Sequence, residues 1–176
     1  MPNVPNKLIV HHTASAYHGS QFDSVNAYHK EREFYLSSLG FYVGYHYFIE
    51  KDGSLRQAKE DHEEGCRTIG QNLQSIGICL AGNFNVELPT WPQINTLGKL
   101  MQTLLQQHQI AVTEIYPHRK FQSKDCYGTL LHDLWARCVY IYSVLQGFTG
   151  LDPAIANAGK SLVLRAMWVP PTNPLT

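Results

Sequence analysis

The segment Gly44 to Ala58, GYHYFIEKDGSLRQA, constrains the fold more than any other. It reads as two strands joined at Asp52-Gly53, and an Asp-Gly pair between such runs is the strongest short-range hairpin signal. A hairpin is antiparallel, whereas strands separated by helices are commonly parallel. The rest of the chain alternates in that second way. KLIVHH (Lys7 to His12) and SIGICLAG (Ser75 to Gly82) are short runs rich in branched apolar residues and read as buried strands. Ile110 to Tyr116 reads as another short strand. Helices are expected over Ser24 to Leu39, closed by Gly40, over Thr90 to about Gln109 with Thr90 as cap and Pro92 in the first turn, and over Thr129 to Leu145. Glu60 to Gln74 is polar, contains two glycines and reads as a surface loop. The expected fold is therefore α/β: a single domain with a central mixed β-sheet flanked by α-helices.

The chain has 176 residues, 44% hydrophobic and 16% charged. That supports one ordinary core and argues against a disordered chain. Residues 1–146 are expected to form the domain, with 147–176 as a C-terminal extension of unassigned role. Lys plus Arg number 14 and Asp plus Glu number 14. The basic residues form no run, so no nucleic-acid partner is expected. No apolar stretch approaches the ~18 residues of a membrane span, and MPNVPNKLIV lacks the pattern of a signal peptide. A soluble monomer made in the cytoplasm is expected. The four cysteines, Cys66, Cys79, Cys126 and Cys138, show no C-x-x-C spacing and are read as mostly reduced, with one as a possible ligand. Cys79 and Cys138 fall on apolar faces and read as core residues.

The chemistry concentrates in PHRKFQSKDCYG. His118 and Cys126 lie eight positions apart in a loop before a helix, and both are good zinc ligand types. The missing donors should lie at the end of a rigid strand. HHTA ends the first one. Side chains alternate across a strand, so His11 and His12 face opposite sides, and only one can join the loop. Spacing alone leaves that choice open. Two histidines and one cysteine would leave the fourth position for water, as in catalytic zinc sites; a fourth protein donor, Cys66 or His12, would mark a structural site.

Four segments in order, LIVHHTA, VGYHYFIEKDGSL, QNLQSIGICLAGNF and PHRKFQSKDCYG, resemble the zinc-dependent N-acetylmuramoyl-L-alanine amidases, the type-2 amidase and peptidoglycan-recognition-protein family. The resemblance runs from about Leu8 to Leu134. It implies a Zn2+ cofactor held by His11, His118 and Cys126, and so selects His11 over His12. It also implies a tyrosine beside the metal, Tyr45, and a catalytic lysine two residues before the ligand cysteine, Lys124. The implied partner is peptidoglycan and the implied reaction is hydrolysis of the amide between N-acetylmuramic acid and L-alanine, as in an endolysin acting on the cell wall. Arg67 and Asn72 are read as substrate-binding.

Two departures stand out. The family often has Cys-Pro-Gly where this chain has Cys126-Tyr127-Gly128, and Gly-x-His where it has Gly65-Cys66-Arg67. The alternative reading is a recognition module that binds peptidoglycan without cutting it; non-catalytic members typically lack a ligand, and all three are present here. A serine hydrolase has no support, because no G-x-S-x-G is present.

Overall fold

A computed structural model describes residues 2–15, 19–66, 68–148 and 152–167. Five strands form one mixed sheet: β1 (Lys7–His12), β2 (Tyr47–Ile49), β3 (Leu55–Gln57), β4 (Ser75–Leu80) and β5 (Ile115–Pro117). Their order is β3-β2-β4-β1-β5. β1 lies parallel to β4 on one side and to β5 on the other, and β2 runs parallel to β4. The hairpin supplies the antiparallel edge, with Tyr47 opposite Gln57. Its turn places Gly53 at φ +86, and Ser54 N–H donates to Asp52 Oδ1 at 2.8 Å.

Alternation along the strands gives the sheet two different faces. Leu8 and Val10 of β1, Tyr47 and Ile49 of β2, and Ile76, Ile78 and Leu80 of β4 belong to the larger core. Three helices share that core: α2 (Trp91–His108), α3 (Trp135–Gln146) and α4 (Pro153–Ala166). The opposite face carries a smaller cluster in which Phe48 and Cys79 meet Phe22 of α1 (Phe22–Glu31). Among the described residues no helix is long and apolar enough to cross a membrane.

α2 forms where its local signals place it. Thr90 and Gln93 make a reciprocal capping box, Pro92 sits in the first turn, and Gln109 closes the helix in the left-handed conformation. Three other boundaries differ from the sequence reading. α1 stops at Glu31 rather than Leu39. Glu33 turns left-handed, the Ser37 hydroxyl donates to Ala58 O and that of Ser38 to Glu63, so polar side chains draw this segment out of helical geometry. Leu36 and Leu39 are exposed, and Gly40 serves a local turn onto Ser37 O instead of a helix end. α3 begins at Trp135 rather than Thr129, because tertiary partners take the preceding main-chain donors: Thr129 N–H donates to Asn85, Leu130 to Phe84 O and His132 to Ala166 O. The strand expected from Ile110 is only Ile115–Pro117, preceded by a single helical turn.

The tail contains α4. Asp152 caps it by accepting from Ala154 N–H at 2.7 Å, and Pro153 occupies its first turn. Val163, Ala166 and Met167 complete the larger core. Trp168 and the prolines beyond it lie outside the described residues.

Candidate metal centre

Parallel strands deliver their carboxyl ends to one edge of the sheet, where ligand sites of open α/β sheets form. His11 is the penultimate residue of β1, and His118 follows β5 directly. Cys126 comes from the loop between that turn and α3. The donor atoms of His11, His118 and Cys126 lie within 4.8 Å of one another. Cys126 Sγ is 3.7 Å from His11 Nδ1, and the two imidazoles stand 4.3 Å apart between centroids. Donors bound to one ion at ~2.0–2.1 Å for nitrogen and ~2.3 Å for sulfur in tetrahedral geometry stand roughly 3.3–3.6 Å apart. The observed cluster is therefore close to what one cation requires.

His12 turns to the other face. Its Nδ1 accepts from Phe84 N–H at 3.0 Å and its ring packs on Phe84. Burial pulls its pKa down to about 4, against the pull of Asp125. Neither His12 nor Cys66 joins the three donors, so among the described residues the cluster has no fourth protein ligand. None of the four cysteines is in a disulfide.

Burial pushes the Cys126 thiol up to about 12, although the His12 backbone N–H, Lys124 and Arg119 oppose the shift. A coordinated divalent cation reverses that balance, since it binds the thiolate and displaces the proton. Around the donors lies a cleft of about 360 Å³. Tyr45 and Lys124 both line it. The Tyr45 ring is 5.0 Å from His11. Lys124 is exposed.

The other sequence candidates are placed differently. Asn72 does not line the cleft; its Oδ1 accepts from Thr68 N–H at 2.9 Å and its carbonyl from Gly65 N–H, which braces the 65–72 loop. Arg67 lies outside the described residues, while its neighbour Cys66 lines the cleft.

Residues without a sequence signal complete the walls, notably His29, Phe34, Asn85 and Asp125. His29 stacks on Phe34 at 4.5 Å and accepts Gly44 N–H on Nδ1 at 3.1 Å. Burial, with help from Lys59, lowers its pKa to about 4, so near neutrality it is uncharged with its proton on Nε2. A Cβ on Gly44 would stand 2.8 Å from both Cys66 O and the Phe34 ring, so this approach needs glycine. The Gly at Gly44 is the one feature of the sequence that could have pointed to a close contact there.

Three potential metal donors in an open cleft, at the carboxyl edge of a mixed sheet, would leave a bound cation one free coordination position. Residues 1–129 match the family model described as N-acetylmuramoyl-L-alanine amidase, and the chain belongs to that family. Peptidoglycan-recognition protein SC2 of Drosophila melanogaster is 28% identical over 131 residues, covering 73% of this chain and 71% of that protein. The endolysin of Escherichia phage T7 is 31% identical over 101 residues, 54% of this chain and 65% of that one. Among solved structures, the N-acetylmuramoyl-L-alanine amidase LysC from Clostridium intestinale superposes with a TM-score of 0.63 at 28% identity, covering 72% of this chain and 78% of that chain. The matched family region contains all three donors and ends before α3 and α4.

Proposed function

We propose that this protein is a zinc-dependent amidase that hydrolyses the bond between N-acetylmuramic acid and L-alanine in peptidoglycan, and that it acts on the cell wall in the manner of an endolysin. The observation that carries this reading is the joint presence of His11, His118 and Cys126 as a three-donor cluster with Lys124 and Tyr45 on the same cleft.

His11, His118 and Cys126 would hold the zinc. Bound there, it supplies a Lewis acid and lowers the pKa of water toward ~7. The chain's own groups do the rest. Lys124 places an exposed ammonium at the cleft wall, where it offsets negative charge that develops on the scissile carbonyl oxygen. Tyr45, whose ring stands 5.0 Å from that of His11, carries a hydroxyl that can donate to the same oxygen. Neutral His29, beside Tyr45 on the cleft lining, offers an Nε2–H donor to bound substrate.

Several relatives carry the name peptidoglycan-recognition protein, which keeps a binding-only module as the second reading. The complete donor set favours hydrolysis. Incubation with purified peptidoglycan, followed by mass analysis, separates the two. Stem peptides with a free L-alanine amine, absent with Cys126→Ser, are expected. Retention on the wall polymer without any released peptide would establish the binding-only module instead.

A further inference from the structure

Cys126 opens a strap, residues 126–134, that contains no helix or strand. A segment of that kind positions a ligand only if its polar main-chain groups are held from outside. Arg119, the residue after His118, holds three of the strap's carbonyls. Its main-chain N–H donates to Cys126 O at 2.6 Å. Its side chain donates from Nη1 to Gly128 O at 2.7 Å, from Nη2 to Leu131 O at 2.6 Å and from Nε to the Asp133 carboxylate at 2.5 Å. The guanidinium also lies over the Tyr127 ring, 5.4 Å from its centroid.

The strap is pinned from behind as well. Tyr127 stands where the amidase resemblance leads one to expect proline. It is fully buried against Trp135, and its hydroxyl donates to the carbonyls of His132 and Asp133. A Cβ on Gly128, at φ +103, would come within 2.5 Å of the Phe84 backbone, so the strap has no room to retreat on that side. Arg119 thus joins the start of the strap through its main chain and the middle and end through its side chain, next to His118.

We propose that Arg119 is a positioning residue of the metal centre: it fixes Cys126 relative to His118 by clamping the strap, and so sets metal affinity and geometry. This rests on the zinc reading above. A planar fork of N–H donors can satisfy two carbonyls and a carboxylate at once; the point charge of a lysine cannot. Partners that orient metal ligands typically contribute ~10–100-fold in affinity.

The test measures zinc affinity by competition with a chromophoric chelator, together with the cobalt(II) absorption spectrum, whose thiolate-to-metal band reports on Cys126. Arg119→Ala is expected to weaken zinc binding ~10–100-fold and to shift or diminish that band. Arg119→Lys should recover only part of the affinity. The thermal midpoint of the metal-free protein supplies the control. An Arg119→Ala protein with wild-type affinity and wild-type band overturns the proposal, as does an affinity loss explained entirely by unfolding of the metal-free variant. Should Arg119→Ala fail to fold, Arg119→Lys carries the test: folded with weaker zinc and an altered band supports the clamp, and wild-type behaviour overturns it. Failure of the wild-type protein to bind either metal would instead remove the zinc reading itself, and the clamp with it.

Discussion

The two faces of the sheet share the same strands and enclose opposite things. Behind it, α2, α3 and α4 cover a continuous apolar core that includes fully buried Leu97, Met101, Trp135 and Val139. In front, the apolar cluster around Phe22 and Phe48 is small, and the space beside it holds buried His11, His29 and His118. One residue step separates the two regimes. Val10 goes to the large core, His11 to the cluster of candidate metal donors, and His12 back to Phe84. The lesson is that this sheet divides labour: substitutions behind it should change stability with little effect on chemistry, and substitutions at its front edge should do the reverse.

The sharpest break of that division is Cys126→Ser. Activity on peptidoglycan should fall to background and zinc affinity should drop, while the far-ultraviolet circular dichroism spectrum stays that of wild type. Lys124→Ala should retain metal and slow turnover by roughly one to three orders of magnitude; full activity in that variant would remove Lys124 from the mechanism. Leu97→Ala, on the other face, should cost about 2–5 kcal/mol in denaturant unfolding and leave turnover per folded molecule unchanged.

Protons sharpen the comparison further. The Cys126 thiol must give up its proton to a metal, so zinc affinity should rise about tenfold per pH unit for each proton displaced. In the metal-free protein the thiol is held above its ordinary value of 9 and up to about 12. Unfolding then releases a proton in that window, and metal-free stability falls as pH rises through it. Urea midpoints at neutral and alkaline pH test this, since Cys126→Ser should lose part of the decline. The smallest effect belongs to Thr90→Ala, which removes half of the α2 capping box and should cost ~1 kcal/mol with no kinetic consequence.

The parts of the fold legible in the sequence are those whose signals are local. The Asp52-Gly53 turn, the branched runs of β1 and β4, and the Thr90 cap each specify their element within a few residues. The end of α1 and the start of α3 were not legible, because Ala58, Glu63, Phe84, Asn85 and Ala166, distant in sequence, take the groups that a helix would have used. The site divides in the same way. The His-to-Cys interval marks a possible metal loop, but the selection of His11 came from family resemblance; the bond from Phe84 N–H to His12 supplies the physical reason. His29 reaches the cleft only through the packing of Gly44 against Cys66 and Phe34, which no neighbouring residue announces. Asn72 sits in a recognisable segment, yet its side chain is occupied with Thr68 N–H.

The most direct test of the central claim is a zinc titration of metal-stripped protein, with stem-peptide release from purified peptidoglycan measured at each addition. The account predicts negligible release at the start, a linear rise, and a plateau at a single equivalent of zinc per chain. Release that is already complete in the stripped protein, or that stays absent at every zinc level, would contradict it.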